Sequence, residues 1–230
     1  MRHVARSMSV VCIGLGSALA SSGAHADIVF LTQSRTITAA TTANADTLTS
    51  SAANFAPFVD DLQSTALFSG PLGVPRVNRA RTTITSILDS NSIRTNTRFE
   101  CEGGENDNGG EEFGEASLDV LLTFTISEST EFNFFSSPRP NGMTTDEFEI
   151  EFKQIGGEDI YANHGDPNPQ VVDITGILQP GDYQLKVKVE FSANAPDQAA
   201  EYDFYLNVPA PVSTLPFAAG AIFAARRRRR

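Results

Sequence analysis

Tyr183-Gln184-Leu185-Lys186-Val187-Lys188-Val189-Glu190-Phe191 alternates apolar with polar or charged side chains without a break. Successive side chains of an extended strand point to opposite sides. Tyr183, Leu185, Val187, Val189 and Phe191 therefore share one face, and Gln184, Lys186, Lys188 and Glu190 the other. A strand buried on one side and wet on the other belongs to an antiparallel sheet that covers a core. The same parity puts Leu118, Val120, Leu122, Phe124 and Ile126 on an inner face and continues through Phe132 and Phe134. Weaker alternations run over Ile28 to Thr38, Arg81 to Leu88, Ile93 to Phe99, Phe148 to Phe152 and Tyr202 to Val208.

Turn chemistry separates these strands. Asn141-Gly142 and Gly156-Gly157 can take the positive φ angles of tight turns, and Pro180-Gly181 stands just before the clearest strand. Many short strands between such turns predict an all-β fold, a single antiparallel β-sandwich. Leu178-Gln179-Pro180-Gly181-Asp182-Tyr183 resembles the turn-into-strand motif of secreted bacterial jelly-roll domains, which implies a jelly-roll-like sandwich. Two stretches resist this reading. Phe55, Phe58, Val59 and Leu62 have the spacing of one amphipathic helical turn despite Pro57, and Thr36 to Asn54 is so poor in large apolar side chains that linker, surface loop and small-residue strand remain open. Phe supplies the large rings of the core, with no Trp in the chain.

The two ends read as addresses. Arg2 and Arg6, the apolar run from Val10 to Ala20, and Ala24-His25-Ala26 follow the pattern of a secretory signal peptide, with cleavage after Ala26 and an N-terminal signal helix over 1–26. At the other end, Val208-Pro209-Ala210-Pro211 forms a hinge, Val212 to Ala225 an apolar helix, and Arg226, Arg227, Arg228, Arg229 and Arg230 a cationic stop. Guanidinium groups hold their end on the cytoplasmic side, and the apolar segment falls short of the roughly 20 residues a lasting membrane span needs. Transient membrane insertion follows. This tail resembles the PEP-CTERM sorting signal of exported bacterial proteins, with Ala210 where that motif has glutamate. The resemblance implies handling by the secretion machinery and removal by an exosortase-type peptidase.

Three segments result: 1–26 as signal, 27–207 as the sandwich and 208–230 as the sorting segment. All 28 acidic residues lie in the body, where ten basic residues remain once the two signal arginines and five tail arginines are set aside, for a net charge of −18. Such a body repels nucleic acid, and its charge reads as solubility outside the cell or as cation binding. Cys12 leaves with the signal, so Cys101 has no partner for an internal disulfide. The sequence reads Cys101 as an exposed thiol, either incidental or able to cross-link two chains.

Catalytic chemistry finds little footing. His164 is the one imidazole of the mature chain, set in the turn-forming Asn163-His164-Gly165-Asp166-Pro167-Asn168-Pro169, and no G-x-S-x-G elbow occurs. Glu147, Glu149 and Glu151 alternate with Phe148, Ile150 and Phe152, which makes them the wet face of a strand and not a catalytic set. The acidic run Glu100 to Glu112 has the oxygen-rich, glycine-bearing make-up of a calcium loop, with Glu105, Asp107, Asn108, Glu111 and Glu112 as candidate ligands, yet its spacing fails the EF-hand pattern. A hydrated acidic loop is the competing reading.

Together these features predict a non-enzymatic cell-surface or extracellular-matrix protein, a structural or adhesive sandwich delivered by its C-terminal tag. The resemblance implies association with extracellular polysaccharide. A secreted carbohydrate-binding module, or at one further remove a glycoside hydrolase, is the alternative. Sugar platforms rely on exposed aromatic faces, and of Tyr161, Tyr183, Tyr202 and Tyr205 only Tyr205 has the parity of a wet face on a strand otherwise facing the core.

Overall fold

The computed structural model describes residues 27–43, 46–106, 108–165, 170–193, 195 and 198–209. The expected signal helix, with Ala24 and Ala26, and the expected apolar helix, with Pro211 and Arg226 to Arg230, lie outside the described residues. Within them the strands are β1 (Ile28–Thr41), β2 (Asp46–Ser51), β3 (Phe58–Ser69), β4 (Pro75–Asp89), β5 (Ser92–Glu102), β6 (Gly104–Glu105), β7 (Glu111–Glu112), β8 (Gly114–Ile126), β9 (Thr130–Arg139), β10 (Thr144–Gln154), β11 (Asp159–His164), β12 (Val172–Leu178), β13 (Gly181–Ala193) and β14 (Gln198–Asn207). No α-helix occurs among the described residues, and a single short 3-10 turn spans Pro71–Gly73.

Two six-stranded antiparallel sheets pack as a sandwich. Sheet A runs β11-β10-β13-β8-β1-β2, sheet B runs β12-β9-β14-β5-β4-β3, and β6 with β7 forms a small ribbon. The pairs β5–β14, β8–β13, β9–β12 and β10–β11 nest inside one another, with β5-β14-β9-β12 in one sheet and β8-β13-β10-β11 in the other. That nesting is the jelly-roll arrangement. β1–β2 extends one sheet at its edge and β4–β3 the other.

Alternation does what the sequence predicts. Tyr183, Leu185, Val187, Val189 and Phe191 are buried, as are Leu118, Val120, Leu122, Phe124 and Ile126. Aromatic rings fill this side of the core: Phe124 stacks on Tyr183 at 5.8 Å, and Phe152 meets Phe132 edge-on at 5.7 Å. Each fully buried Leu, Val or Phe contributes about 1.5–3 kcal/mol, which is what holds the sheets together without a disulfide.

The opposite side of the core sets small and polar groups among Ile37, Phe58 and Ile84. Thr82 Oγ1 donates to the Thr38 carbonyl across the sheets at 2.6 Å, and the Thr41 and Ser64 hydroxyls lie 3.1 Å apart. Where these hydroxyls bridge the sheets the strands come close together, and the small residues of Thr36 to Asn54 form a small-residue strand pair, the end of β1 and all of β2. Gly114 marks the closest approach, since a Cβ there would lie 2.2 Å from the Arg79 carbonyl oxygen.

The helical spacing of Phe55, Phe58, Val59 and Leu62 is overturned. β3 begins at Phe58 and pairs with β4 from Phe58↔Ser86 to Ser69↔Pro75. Phe58 and Val59 consequently face opposite ways, Phe58 inward and Val59 exposed.

Arg35 lies wholly inside the sandwich. Nε donates to Gln33 Oε1 at 3.0 Å, Nη1 to the Ser86 carbonyl and hydroxyl at 3.3 and 3.2 Å, and Nη2 to the Asn54 and Ala56 carbonyls at 2.7 and 2.8 Å. The Phe58 ring lies 5.9 Å from the guanidinium carbon. Burial lowers the Arg35 pKa from its ordinary value. Neutral carbonyls, not a carboxylate, hold this charge, and they tie the 52–57 connection to β1 and β4.

Candidate functional site: the outer face of sheet B

Register sets the rows of this face. Asp173, Phe135, Tyr205, Arg94 and Ile87 stand side by side on β12, β9, β14, β5 and β4. Tyr205 stacks on Phe135 with ring centres 5.1 Å apart and planes 16° from parallel. The rings turn toward each other, so Tyr205 offers one free face, next to Arg94. That free face borders an open slot of about 210 Å³ whose lining includes Ile87, Arg94, Asn96 and Asp203. Asn96 donates to Asp203 across it.

Further along β14 the face becomes an arginine–carboxylate ladder. Arg139 donates to Glu201 at 2.9 Å and to Asp203 at 3.0 Å, while Arg98 donates to Glu201 at 3.2 Å and to Glu100 at 2.9 Å. Arg81 joins Asp61 at 2.6 Å and Glu100 at 3.5 Å, and Arg79 meets Glu102 at 3.5 Å. Arg98 holds the Glu100 carboxyl below its ordinary range, and Arg81 does the same to Asp61. Exposed pairs of this kind contribute little stability singly, about 0–1 kcal/mol each, so the ladder mainly fixes side-chain positions. A shallow depression of about 390 Å³ lies beside Arg98 and Arg139, and another of about 460 Å³ lies at the far end of β14 beside Glu131, Ile177, Asn207 and Pro209.

The outer face of sheet A is the more acidic. Glu147, Glu149 and Glu151 form a wet strand face there, bound to Lys188, Lys186 and Lys153 respectively. Lys186 pulls the Glu149 carboxyl below its ordinary value. Glu190 stands directly across from Glu147. Burial first, and then Glu115, Asp146 and Glu147, push the Glu190 pKa up.

Several sequence-picked residues fall elsewhere than expected. Cys101 is no exposed thiol: it shares the inward parity of Ile93 and Phe99 on β5, is 1% exposed, and burial pushes its pKa up to about 12. His164 leaves the expected turn for the end of β11, where Nδ1 sits 3.1 Å from Glu149. Val208, assigned to the hinge, is buried in the core, and its N–H donates to the Asn91 carbonyl at 2.8 Å, with Pro209 following outside the strand.

The acidic run is a tied hairpin among its described residues. Glu105 pairs with Glu111 on the β6–β7 ribbon, and Asn106 Oδ1 accepts the Asn108 and Gly110 N–H groups at 3.1 and 2.8 Å. The Glu112 carboxylate accepts from Asn106 at 3.1 Å and from Thr42 at 2.9 Å. The loop thus turns oxygens that calcium would use onto its own donors. Asp107 lies outside the described residues. Among the described residues no group of three His, Cys, Asp or Glu side chains is placed to hold a metal ion.

No protein-family model matches the chain, and no curated protein matches it. Among solved structures the chain is similar to the enzymatically active domain of bacteriophage CBA120 tailspike protein 4, at 12% identity and a TM-score of 0.25 over 65% of this chain and 19% of that one. It is also similar to infectious bursal disease virus Gt strain, at 8% identity and a TM-score of 0.20 over 84% of this chain and 59% of that one. The chain therefore spans about a fifth of the first and about three-fifths of the second.

Proposed function

We propose that this is an exported cell-surface or extracellular-matrix protein whose sandwich serves as a structural and adhesive unit and not as an enzyme. One observation carries the reading. The Ile28 N–H donates to the Ser90 carbonyl and the Val208 N–H to the Asn91 carbonyl, so the first and last strands are tied to the same β4–β5 turn. The body begins two residues past the expected signal cleavage and ends at the expected hinge. Both address segments join it at one pole, which leaves the rest of the sandwich to project outward. The C-terminal segment inserts transiently, an exosortase-type peptidase removes it, and the body is left outside the cytoplasmic membrane. Intact mass of the protein from envelope and medium tests this: a product starting near Asp27 and ending near Pro209 is expected, and an arginine-terminated product or a cytosolic one overturns it.

A carbohydrate-binding reading has one specific observation in its favour, the free Tyr205 face beside Arg94. A single free ring is less than the coplanar pair a sugar platform presents, which ranks this reading second. Titration of extracellular polysaccharide against tyrosine fluorescence decides it, with loss of the response in Tyr205→Ala as the expected signature of binding at this slot.

A further inference from the structure

The hairpin joining β3 to β4 departs from the rest of this acidic molecule. From Leu62 to Leu88 there is no Asp or Glu, while Arg76, Arg79 and Arg81 fall within the stretch. Pairing of β4 with β5 starts at Arg79, so Pro75 to Asn78 pair with β3 alone and the hairpin overhangs the sheet. At its tip Leu72 is 99% exposed and holds a φ of 64°, and Val74 beside it is 55% exposed.

A left-handed leucine is strained, and an exposed one forgoes burial. Neither cost gains a contact within the chain, since the Pro71–Gly73 turn has no buried residue. Arg79 and Arg81 are committed to Glu102, Asp61 and Glu100, whereas Arg76 makes no ion pair among the described residues. The Arg76 stem lies across Gly70, where an added Cβ would come within 2.6 Å of it. Its Nη1 reaches toward Gly104, 3.7 Å from where a Cβ there would lie, so the guanidinium sits between the tip and the β6–β7 ribbon.

Position narrows the occupant. β4 runs its full 15 residues from the tip to the Ser90-Asn91 turn, about 50 Å at 3.3 Å per residue. The tip thus points away from the pole where Pro209 leaves, and away from any bilayer the C-terminal segment enters. An apolar tip with an uncommitted guanidinium fits an acidic surface that has some apolar ground. The outer face of sheet A carries such carboxylates: Glu190 stands opposite Glu147, which Lys188 holds, with Glu115 and Asp146 close by, and Leu121 is exposed further along β8 beside Lys186.

We propose that the tip of one copy docks on the outer face of sheet A of a second copy, with Arg76 meeting the carboxylates around Glu190 and the contact covering Leu72 and Val74. Both copies carry net negative charge, but at physiological salt the screening length is about 8 Å, so distant repulsion fades while charges in contact still act.

Sedimentation of the protein as recovered from its producing cells tests this from about 1 µM to about 1 mM. Association that grows with concentration is expected. Leu72→Ser with Val74→Ser, or Arg76→Glu, should weaken it about tenfold or more, as should Glu115→Gln with Glu190→Gln. The tip variants alter exposed side chains and the face variant relieves like-charge repulsion, so unchanged or raised melting temperatures separate lost docking from lost folding. Mixing a tip variant with the face variant should restore a one-to-one complex, because one supplies the face and the other the tip. A wild type that stays monomeric throughout, tip variants that associate as wild type does, a mixture that forms no complex, or association unmoved by 1 M salt each overturns the proposal. None of these outcomes touches the terminal masses on which the export reading is tested.

Discussion

Replacing Arg35 by Met removes every donor of the buried guanidinium while keeping much of its length. Three carbonyls, those of Asn54, Ala56 and Ser86, lose their partner at once. At about 1–2 kcal/mol for each acceptor left unpaired, the loss is about 3–6 kcal/mol. Some returns, because the variant no longer desolvates a charge and buries a thioether instead, and a net cost of about 3–4 kcal/mol remains. For a domain of this size each kcal/mol lowers the melting temperature by about 2–4 °C, so a fall of about 10 °C is expected. Arg35→Lys should fall between, since one ammonium cannot reach both the 52–57 carbonyls and Ser86. Thermal and urea unfolding of the three proteins measure this. Burial lowers the Arg35 pKa, yet an arginine stays charged throughout the working range, so the loss should be the same at pH 5 and pH 8. A variant within about 1 kcal/mol of wild type would refute the account of Arg35 as the clasp of this side of the core.

Cys101 should react with thiol reagents at neutral pH only as the protein opens, because its pKa is pushed up to about 12 and it is 1% exposed; rapid labelling of the native state would contradict its burial. Glu190 titrates with a raised folded pKa, so its ionised form costs stability above that value and the cost lifts as pH falls through it toward the ordinary 4.5. Glu190→Gln should therefore raise the melting temperature at pH 8 and lose that advantage by pH 4, and equal effects at both would sink the assignment. Gly114→Ala places a methyl 2.2 Å from the Arg79 carbonyl oxygen, so on the order of 3 kcal/mol of stability should disappear, measured by the same unfolding curves.

The jelly-roll half of the molecule was legible because its strands carry large apolar side chains in strict alternation, from Gly114 to Arg139 and from Gly181 to Asn207. β3 was not. Phe55, Phe58, Val59 and Leu62 imitate a helical stripe, and only pairing with β4, remote information for that segment, settles the period. Arg35 and Cys101 could have been placed by parity alone, Arg35 with Ile37 and Ala39, Cys101 with Ile93 and Phe99. Their chemistry argued the other way, since an arginine usually seeks water. The face of sheet B was out of reach, because its rows join residues from β12, β9, β14, β5 and β4. Knowing that Tyr205 is wet does not reveal that Phe135 and Arg94 are its neighbours.

The tie of Val208 to the β4–β5 turn also sets how the molecule bears load. A pull on the chain beyond Pro209 acts along β14, which lies inside sheet B between β5 and β9 and is antiparallel to both. Its rungs then carry tension in shear, all at once, instead of opening one after another as they would if peeled. β14 loaded this way yields only when both of its ladders give together, so the last strand is the part of the fold best placed to resist a pull on the chain that follows it.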